Sequence, residues 1–282
     1  VPRFLQVLAL ALVIAVNPDA LEIGLYGGLS NLEFARDRTS DQTELPATYT
    51  WTGSAHIAHE LGPVELDLVV AIDPVLRNIA HLTLGHASDY FAVTFGAFAG
   101  GLISGGFDLW PGLSAQISLY APRLLFASLS SEGSLSFRPL ATSGYLQQQN
   151  RVEVGFFGRN VNPAVYVESR RFTLGTSDGS VVDSLVEYGV EADCFEKNVA
   201  FGLLLSGAYQ DWTKRFAEAT TVTHRYGSIV GTVNCSIVLF RRLTVTAELE
   251  TSVFTFGLDA LLGESSSDRF LFRARLGTSY RL

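Results

Sequence analysis

No apolar run in this sequence is as long as the roughly 18–20 residues that a helix needs to cross a bilayer. Charge is also scarce. Asp, Glu, Lys and Arg together make up 17% of the 282 residues, against about 25% in an average soluble domain. Lysine is confined to Lys197 and Lys214, and the net charge is −8, which argues against nucleic acid as a partner, since that would want a basic face. Cysteine occurs only as Cys194 and Cys235. Their segments read as strands that are not neighbours, which sets the pair about 10 Å apart and predicts two free thiols. The histidines, His56, His59, His81, His86 and His224, have no metal-ligand spacing, and there is no nucleotide or cofactor motif. Methionine is missing altogether and Val1 stands first, which reads as a non-ATG start translated literally.

In place of these, hydrophobic residues reach 48%, glycine reaches 26 residues, and mean hydropathy is +0.25. A chain this apolar without a spanning helix either buries all of it or meets lipid as a closed barrel. A bilayer leaves no unpaired backbone group satisfied, so open sheets are excluded there.

The first twenty residues read as a signal peptide. Arg3 is the positive region, Phe4–Val16 the apolar region, and Asn17–Ala20 a polar end closing on a small residue. Cleavage is expected after Ala20, although Pro18 is unusual at that site. No cysteine lies near the cut, which argues against a lipoprotein. Residues 21–282 then form one barrel domain.

From Leu21 onward the dominant period is two. At the C-terminus Phe270, Phe272, Ala274, Leu276, Thr278, Tyr280 and Leu282 share one face, and Arg269, Arg273, Arg275, Ser279 and Arg281 the other. Leu243, Val245, Ala247 and Leu249 alternate with Thr244, Thr246, Glu248 and Glu250. Val186, Tyr188, Val190, Ala192 and Cys194 alternate with Glu187, Gly189, Glu191 and Asp193. Val64, Leu66, Leu68, Val70 and Ile72 oppose Glu65, Asp67 and Asp73. These runs reach the roughly 9–11 residues of a tilted membrane strand, against a mode of about 5–6 in soluble sheets.

Tight connections fall at Leu61–Pro63, Ala121–Arg123, Glu196–Asn198 and Phe240–Arg242. Longer polar ones are expected at Arg36–Thr48, Pro139–Asn150, Gly175–Ser184, Asp211–His224 and Gly257–Asp268. Short turns at one end and long loops at the other are the pattern of outer-membrane barrels. The count is fourteen strands, with twelve as the alternative; the doubtful stretch is Pro74–Trp110, read as strands near Ile79–Gly85 and Tyr90–Ala99. The predicted fold is an all-β, antiparallel, up-and-down transmembrane barrel with both termini on the short-turn side.

A lipocalin-like soluble barrel would alternate in the same way with its apolar face inside. Three features favour the apolar face outward. The polar face is rich in Gly, Ser and Thr, and the strand number exceeds the roughly eight that close around a filled interior. Aromatics gather toward strand ends, with Tyr49, Trp51, Tyr209, Trp212 and Phe270 near the loops and Tyr120, Phe195, Phe240 and Tyr280 near the turns.

The last eight residues, Arg275-Leu276-Gly277-Thr278-Ser279-Tyr280-Arg281-Leu282, resemble the C-terminal assembly signal of bacterial outer-membrane barrels. Arg275, Gly277, Tyr280 and Leu282 fill its defined places, although a final Phe is commoner than Leu. The resemblance implies capture of an exposed edge strand by the barrel-assembly machinery. Length and strand number are also similar to those of the monomeric general porins, a likeness of architecture. It implies location in the cell outer membrane, among outer-membrane lipid.

A fourteen-strand barrel has a backbone radius of about 14 Å and leaves ~10 Å of clear width. The expected function is a porin-like channel for passive diffusion of small hydrophilic solutes. By parity Glu65, Asp67, Glu187, Glu191, Asp193, Glu248 and Glu250 line the pore, as do Arg269, Arg273, Arg275 and Arg281. The acidic excess predicts a weak cation preference, and Glu248 and Glu250 are expected to pair with Arg273 and Arg275 on the next strand. A non-conducting barrel whose loops bind extracellular ligands, as an adhesin or scaffold, is the alternative, and a hydrophobic-substrate transporter is a further variant. His86-Ala87-Ser88 resembles the His-x-Ser arrangement of outer-membrane lipid hydrolases, but no third residue can be assigned to orient the histidine. Enzymatic activity is therefore not expected.

Overall fold

The computed structural model describes residues 21–30, 50–72, 78–102, 108–121, 124–135, 144–175, 180–196, 201–217, 221–240, 242–256 and 272–282. They form fourteen antiparallel strands: β1 (Leu21–Ser30), β2 (Thr50–Leu61), β3 (Val64–Ile72), β4 (Asn78–Ala87), β5 (Phe91–Leu102), β6 (Asp108–Ala121) and β7 (Leu125–Ser134), then β8 (Gly144–Phe156), β9 (Val161–Gly175), β10 (Ser180–Glu196), β11 (Phe201–Ala217), β12 (Thr221–Leu239), β13 (Leu243–Phe256) and β14 (Phe272–Arg281). Each pairs with its neighbours in sequence, and β1 pairs with β14 to close the barrel. The closing seam runs from Glu22 opposite Arg281 to Ser30 opposite Arg273. The Leu282 amide adds a hydrogen bond to the Leu21 carbonyl at 2.9 Å. Both ends of the barrel chain therefore lie at the short-turn rim.

Following the register once round the wall returns to β1 displaced by about 14 residues, a shear equal to the strand number. With ordinary strand spacings this gives a tilt of about 35° and a backbone radius of about 13 Å. One bulge, between Ile229 and Val230, interrupts the β12–β13 register.

The faces are inverted relative to a soluble barrel. Leu276 is 67% exposed, Phe95 61% and Val190 60%, all on the outer surface. Charged side chains of the opposite parity join strands that are not neighbours, as Arg151 on β8 does with Glu191 on β10, which only the concave side permits. The period of two is thus that of one wall with an apolar outer face and a polar inner face.

The connections correct the loop reading in three places, one of them Pro139–Asn150, where β8 already begins at Gly144. Gly175–Ser184 and Asp211–His224 are not long loops, because β10 begins at Ser180, β11 runs to Ala217 and β12 begins at Thr221. These tracts are polar, but Thr213, Thr221, Val222 and Thr223 are β-branched and favour extended chain. Strands β10 and β11 have 17 residues and β12 has 19, whereas β3 has 9. At the same tilt, nine residues span about 24 Å and seventeen about 46 Å, so β10 and β11 are about 20 Å taller than β3. The doubtful stretch supplies two full strands, β4 and β5.

The aromatic distribution needs one correction as well. Trp51, Tyr188 and Tyr209 are outward and exposed on the loop side, and Phe240 and Tyr280 are exposed at the turn end. Tyr120 and Phe195 instead have inward parity, because Leu119 and Cys194 beside them face out. The Tyr120 ring packs 6.2 Å from Phe157, which lies 5.2 Å from Phe126. Tyr49 and Phe270 lie outside the described residues, as does the predicted signal peptide.

Four inward aromatics lie flat against the wall, each on a glycine of the adjacent strand. A Cβ on Gly277 would stand 2.7 Å from Tyr26 Cγ, on Gly112 2.6 Å from Phe98 Cε2, on Gly155 2.5 Å from Phe126 Cε1, and on Gly189 2.5 Å from the Tyr166 hydroxyl. Glycine at these positions lets a bulky ring lie along the wall instead of projecting across the lumen. At the β2–β3 turn Gly62 has φ +67°, the left-handed conformation that a two-residue hairpin loop needs.

Candidate functional site

The inner face is the candidate site, and its charge is unevenly spread. On β4–β7 the inward residues are mostly uncharged: Thr83, Thr94, Ser114, Gln116, Ser118, Ser128 and Ser130, with Glu132 the acidic exception among the described side chains. His81 Nε2 lies 2.7 Å from Ser114 Oγ, and its ring meets Phe98 edge-on at 6.0 Å.

The densest network lies on β8–β11. Arg151 reaches Glu191 at 2.7 Å, Glu153 at 2.9 Å and Glu168 at 3.5 Å, and its guanidinium carbon sits 3.8 Å above the Tyr166 ring. Arg170 also pairs with Glu168, which accepts from Gln149 Nε2 at 2.9 Å. Tyr166 donates its hydroxyl proton to Glu187 at 2.6 Å, Gln210 Nε2 donates to the other carboxylate oxygen at 2.6 Å, and Ser228 Oγ donates to Gln210 at 3.1 Å. This chain of bonds crosses four strands and ties the base of the tall wall together. Its members are buried, Glu187 being only 7% exposed. Charge here is satisfied by ionic hydrogen bonds, which are about twice as strong as neutral ones.

A second cluster joins β13 and β14. Glu248 stands opposite Arg275, and Glu250 opposite Arg273. Arg275 Nη2 lies 2.7 Å from Glu248, Arg273 lies 3.7 Å from it, and Arg273 pairs with Glu250. The adjacency expected from alternation alone is therefore realised. A cavity of about 240 Å³ opens beside it, lined by Tyr26, Ser54, Asn234, Thr246, Glu248, Arg275 and Gly277. On β2 and β3, His56 Nε2 lies 3.0 Å from Asp67.

Of the other predicted lining residues, Glu65 and Asp193 have inward parity close to the turn rim. Arg281, at the same rim, pairs with Glu60 at 2.9 Å. Arg269 lies outside the described residues. Seven inward charged residues were not among those predicted to line the pore: Glu22, Glu60, Glu132, Arg151, Glu153, Glu168 and Arg170. For three of them the signal was present, since Arg151 and Glu153 alternate with Val152 and Val154, and Glu168 with Val165 and Val167.

Among the residues whose side chains the structure describes, the inward carboxylates are Glu22, Glu60, Glu65, Asp67, Glu132, Glu153, Glu168, Glu187, Glu191, Asp193, Glu248 and Glu250, twelve in all. The inward guanidiniums are five: Arg151, Arg170, Arg273, Arg275 and Arg281. Among the same residues no group of three or more His, Cys, Asp or Glu is arranged to hold a metal ion.

His86 and Ser88 are taken up by the turn. His86 Nδ1 lies 2.8 Å from the Pro63 carbonyl, while Ser88 Oγ donates to the Phe91 carbonyl at 3.0 Å and accepts from the Phe91 amide at 3.2 Å. Both side chains bond to backbone across turns rather than to each other.

No family model and no curated sequence matches the chain. Solved structures do. An outer membrane channel from Pseudomonas putida F1 gives a TM-score of 0.50 at 9% identity, over 94% of this chain and 96% of that one. A bacterial polysaccharide outer membrane secretin gives 0.49 at 8% identity, over 94% and 99%, and the NanC porin 0.47 at 7%, over 93% and 100%. The likeness is one of fold, shared with bacterial outer-membrane barrels that include channels.

Proposed function

We propose that the chain is an outer-membrane channel for passive diffusion of small hydrophilic solutes, with a weak preference for cations. The observation that carries this reading is the inversion of faces in a closed barrel of fourteen strands. Apolar side chains stand exposed on the outside, while polar ones inside keep contact with solvent, the Arg275 side chain at 40% and those of Arg170 and Asp67 at 33%. A barrel of about 13 Å backbone radius encloses more space than eight-stranded barrels, which side chains fill. The excess of inward carboxylates supports cation preference, because rings of acidic side chains favour cation passage.

Two further roles belong to the same proposal. Residues 1–20 serve as the export signal. Arg275, Gly277, Tyr280 and Leu282, on and beside the last strand, serve as the signal read by the barrel-assembly machinery. Swelling of liposomes containing the refolded protein tests the channel. Entry of small uncharged sugars, falling off as their size increases, is the expected result. Liposomes that stay impermeable although the protein is inserted would overturn it.

A further inference from the structure

On one side of the barrel the outer surface changes character above the apolar band. The last apolar row on β8–β12 runs Val152, Val167, Tyr188, Tyr209, Ile229, each opposite the next. Two rows higher stand Gln148, Arg171, Ser184, Thr213 and Arg225, and Arg215 follows between Val182 and Thr223. Arg171, Arg215 and Arg225 are all exposed. Arg225 Nε donates to Asp211 at 3.0 Å, whereas Arg171 and Arg215 have no ion-pair partner among the described residues. Three guanidiniums against one carboxylate make this belt net positive, on a chain whose net charge is −8.

The position of these arginines selects the occupant. Counted along their own strands from the turn rim, Arg171 lies ten residues up from Val161, and Arg215 and Arg225 lie fourteen from Phe201 and Leu239, about 27 Å for the first and about 38 Å for the other two. The polar headgroup layer adds roughly 5–8 Å to each side of the hydrocarbon. An arginine side chain can run back along the wall toward that layer and keep its charge in the polar zone. A guanidinium offers a planar pair of donors that matches phosphate oxygens.

We propose that Arg171, Arg215 and Arg225 form a docking belt for the phosphate groups of anionic lipid headgroups in the leaflet around the loop-side rim. This rests on the reading that the barrel spans a membrane, but not on the channel being open. The belt fixes the height of the tall wall in its leaflet and gathers acidic lipid on one side of the barrel. Asp211 orients Arg225, while Arg171 and Arg215 supply the free charge.

The test is native mass spectrometry of the full chain released from neutral detergent with equal amounts of phosphatidylglycerol and phosphatidylcholine. The wild-type protein is expected to retain phosphatidylglycerol preferentially, as a monomer. Each surface arginine contributes about 5-fold to anionic-lipid binding, so R171Q/R215Q should lower that retention roughly 25-fold. R171K/R215K should keep most of it, which separates lost charge from a disturbed wall. The exposed turn-rim arginines provide the control, and R159Q/R242Q should leave retention unchanged. Equal retention of the two lipids by the wild-type protein overturns the proposal. So does undiminished retention in R171Q/R215Q, or a dimer that only the wild-type protein forms, which would make the belt a contact between copies. Insertion into phosphatidylcholine vesicles, followed on the same samples, keeps the two readings apart. A chain that inserts but shows no lipid preference refutes the belt alone, whereas a chain that inserts into no lipid refutes the membrane reading.

Discussion

Replacing Gly189 with alanine tests whether the lumen network is built on a ring seated against the wall. The new Cβ would fall on the Tyr166 ring, 2.5 Å from its hydroxyl oxygen. An ordinary carbon contact needs about 3.5 Å or more, so the ring must move by an ångström or more. Above it lies the Arg151 guanidinium at 3.8 Å, and its hydroxyl is committed to Glu187 at 2.6 Å. A hydrogen bond to a charged acceptor contributes about 1.5–3 kcal/mol, and a partly exposed cation–π contact about 0.5–1 kcal/mol. Partial relaxation recovers some of this, so G189A is expected to destabilise the barrel by about 1–3 kcal/mol. Y166F removes only the hydroxyl and should cost about 1–3 kcal/mol, because Glu187 keeps Gln210. In G189A/Y166A the added methyl has no ring to meet, so the two effects should fall short of additivity. Urea unfolding in lipid vesicles, followed by tryptophan fluorescence, measures these costs. The displaced ring can move only into the lumen, so G189A should also carry less current per channel. Wild-type unfolding and wild-type current in G189A would refute the account of the seat.

Substituting both glutamates in E248Q/E250Q leaves Arg273 and Arg275 without their partners, and the reversal potential in a salt gradient should shift toward anion selectivity; R273Q/R275Q should shift it the other way. Cys194 and Cys235 share one outward row with Leu203 between them, about 10 Å apart, so non-reducing gels should show no intramolecular disulfide. Both thiols should react with a lipid-soluble maleimide, and a water-soluble one should leave them unlabelled in vesicles. S88A removes hydrogen bonds at the β4–β5 turn and should cost about 1 kcal/mol in unfolding experiments. Phospholipid hydrolysis in mixed micelles should be equally low for S88A and the unaltered protein, and hydrolysis lost specifically in S88A would contradict the structural role given to Ser88.

Strand number, closure and the outward apolar face were legible because a wall that is apolar outside and polar inside writes a period of two into every strand. The Glu248–Arg275 and Glu250–Arg273 pairs were legible for the same reason, since alternation fixes the face and succession fixes the neighbour. The richer network on β8 and β9 was missed although part of its alternation is there, because Gln147-Gln148-Gln149-Asn150 is polar on both faces and Pro163 breaks the look of a strand. Strand ends were misjudged where composition and conformation diverge. Tracts such as Thr221–Arg225 are polar enough for a loop, yet β-branched enough to continue a sheet above the membrane. The aromatic seats could not be read at all. Tyr166 over Gly189 and Tyr26 over Gly277 depend on which residues stand opposite each other across a pair of strands, and a linear pattern leaves that register open.

Single-channel recording of the refolded protein in a planar bilayer tests the central claim most directly. Discrete current steps, linear in voltage and scaling with salt concentration, are predicted, with a modest bias toward cations in a gradient. A protein shown by its circular dichroism and heat-shifted gel mobility to be folded and inserted, yet electrically silent, would contradict the channel.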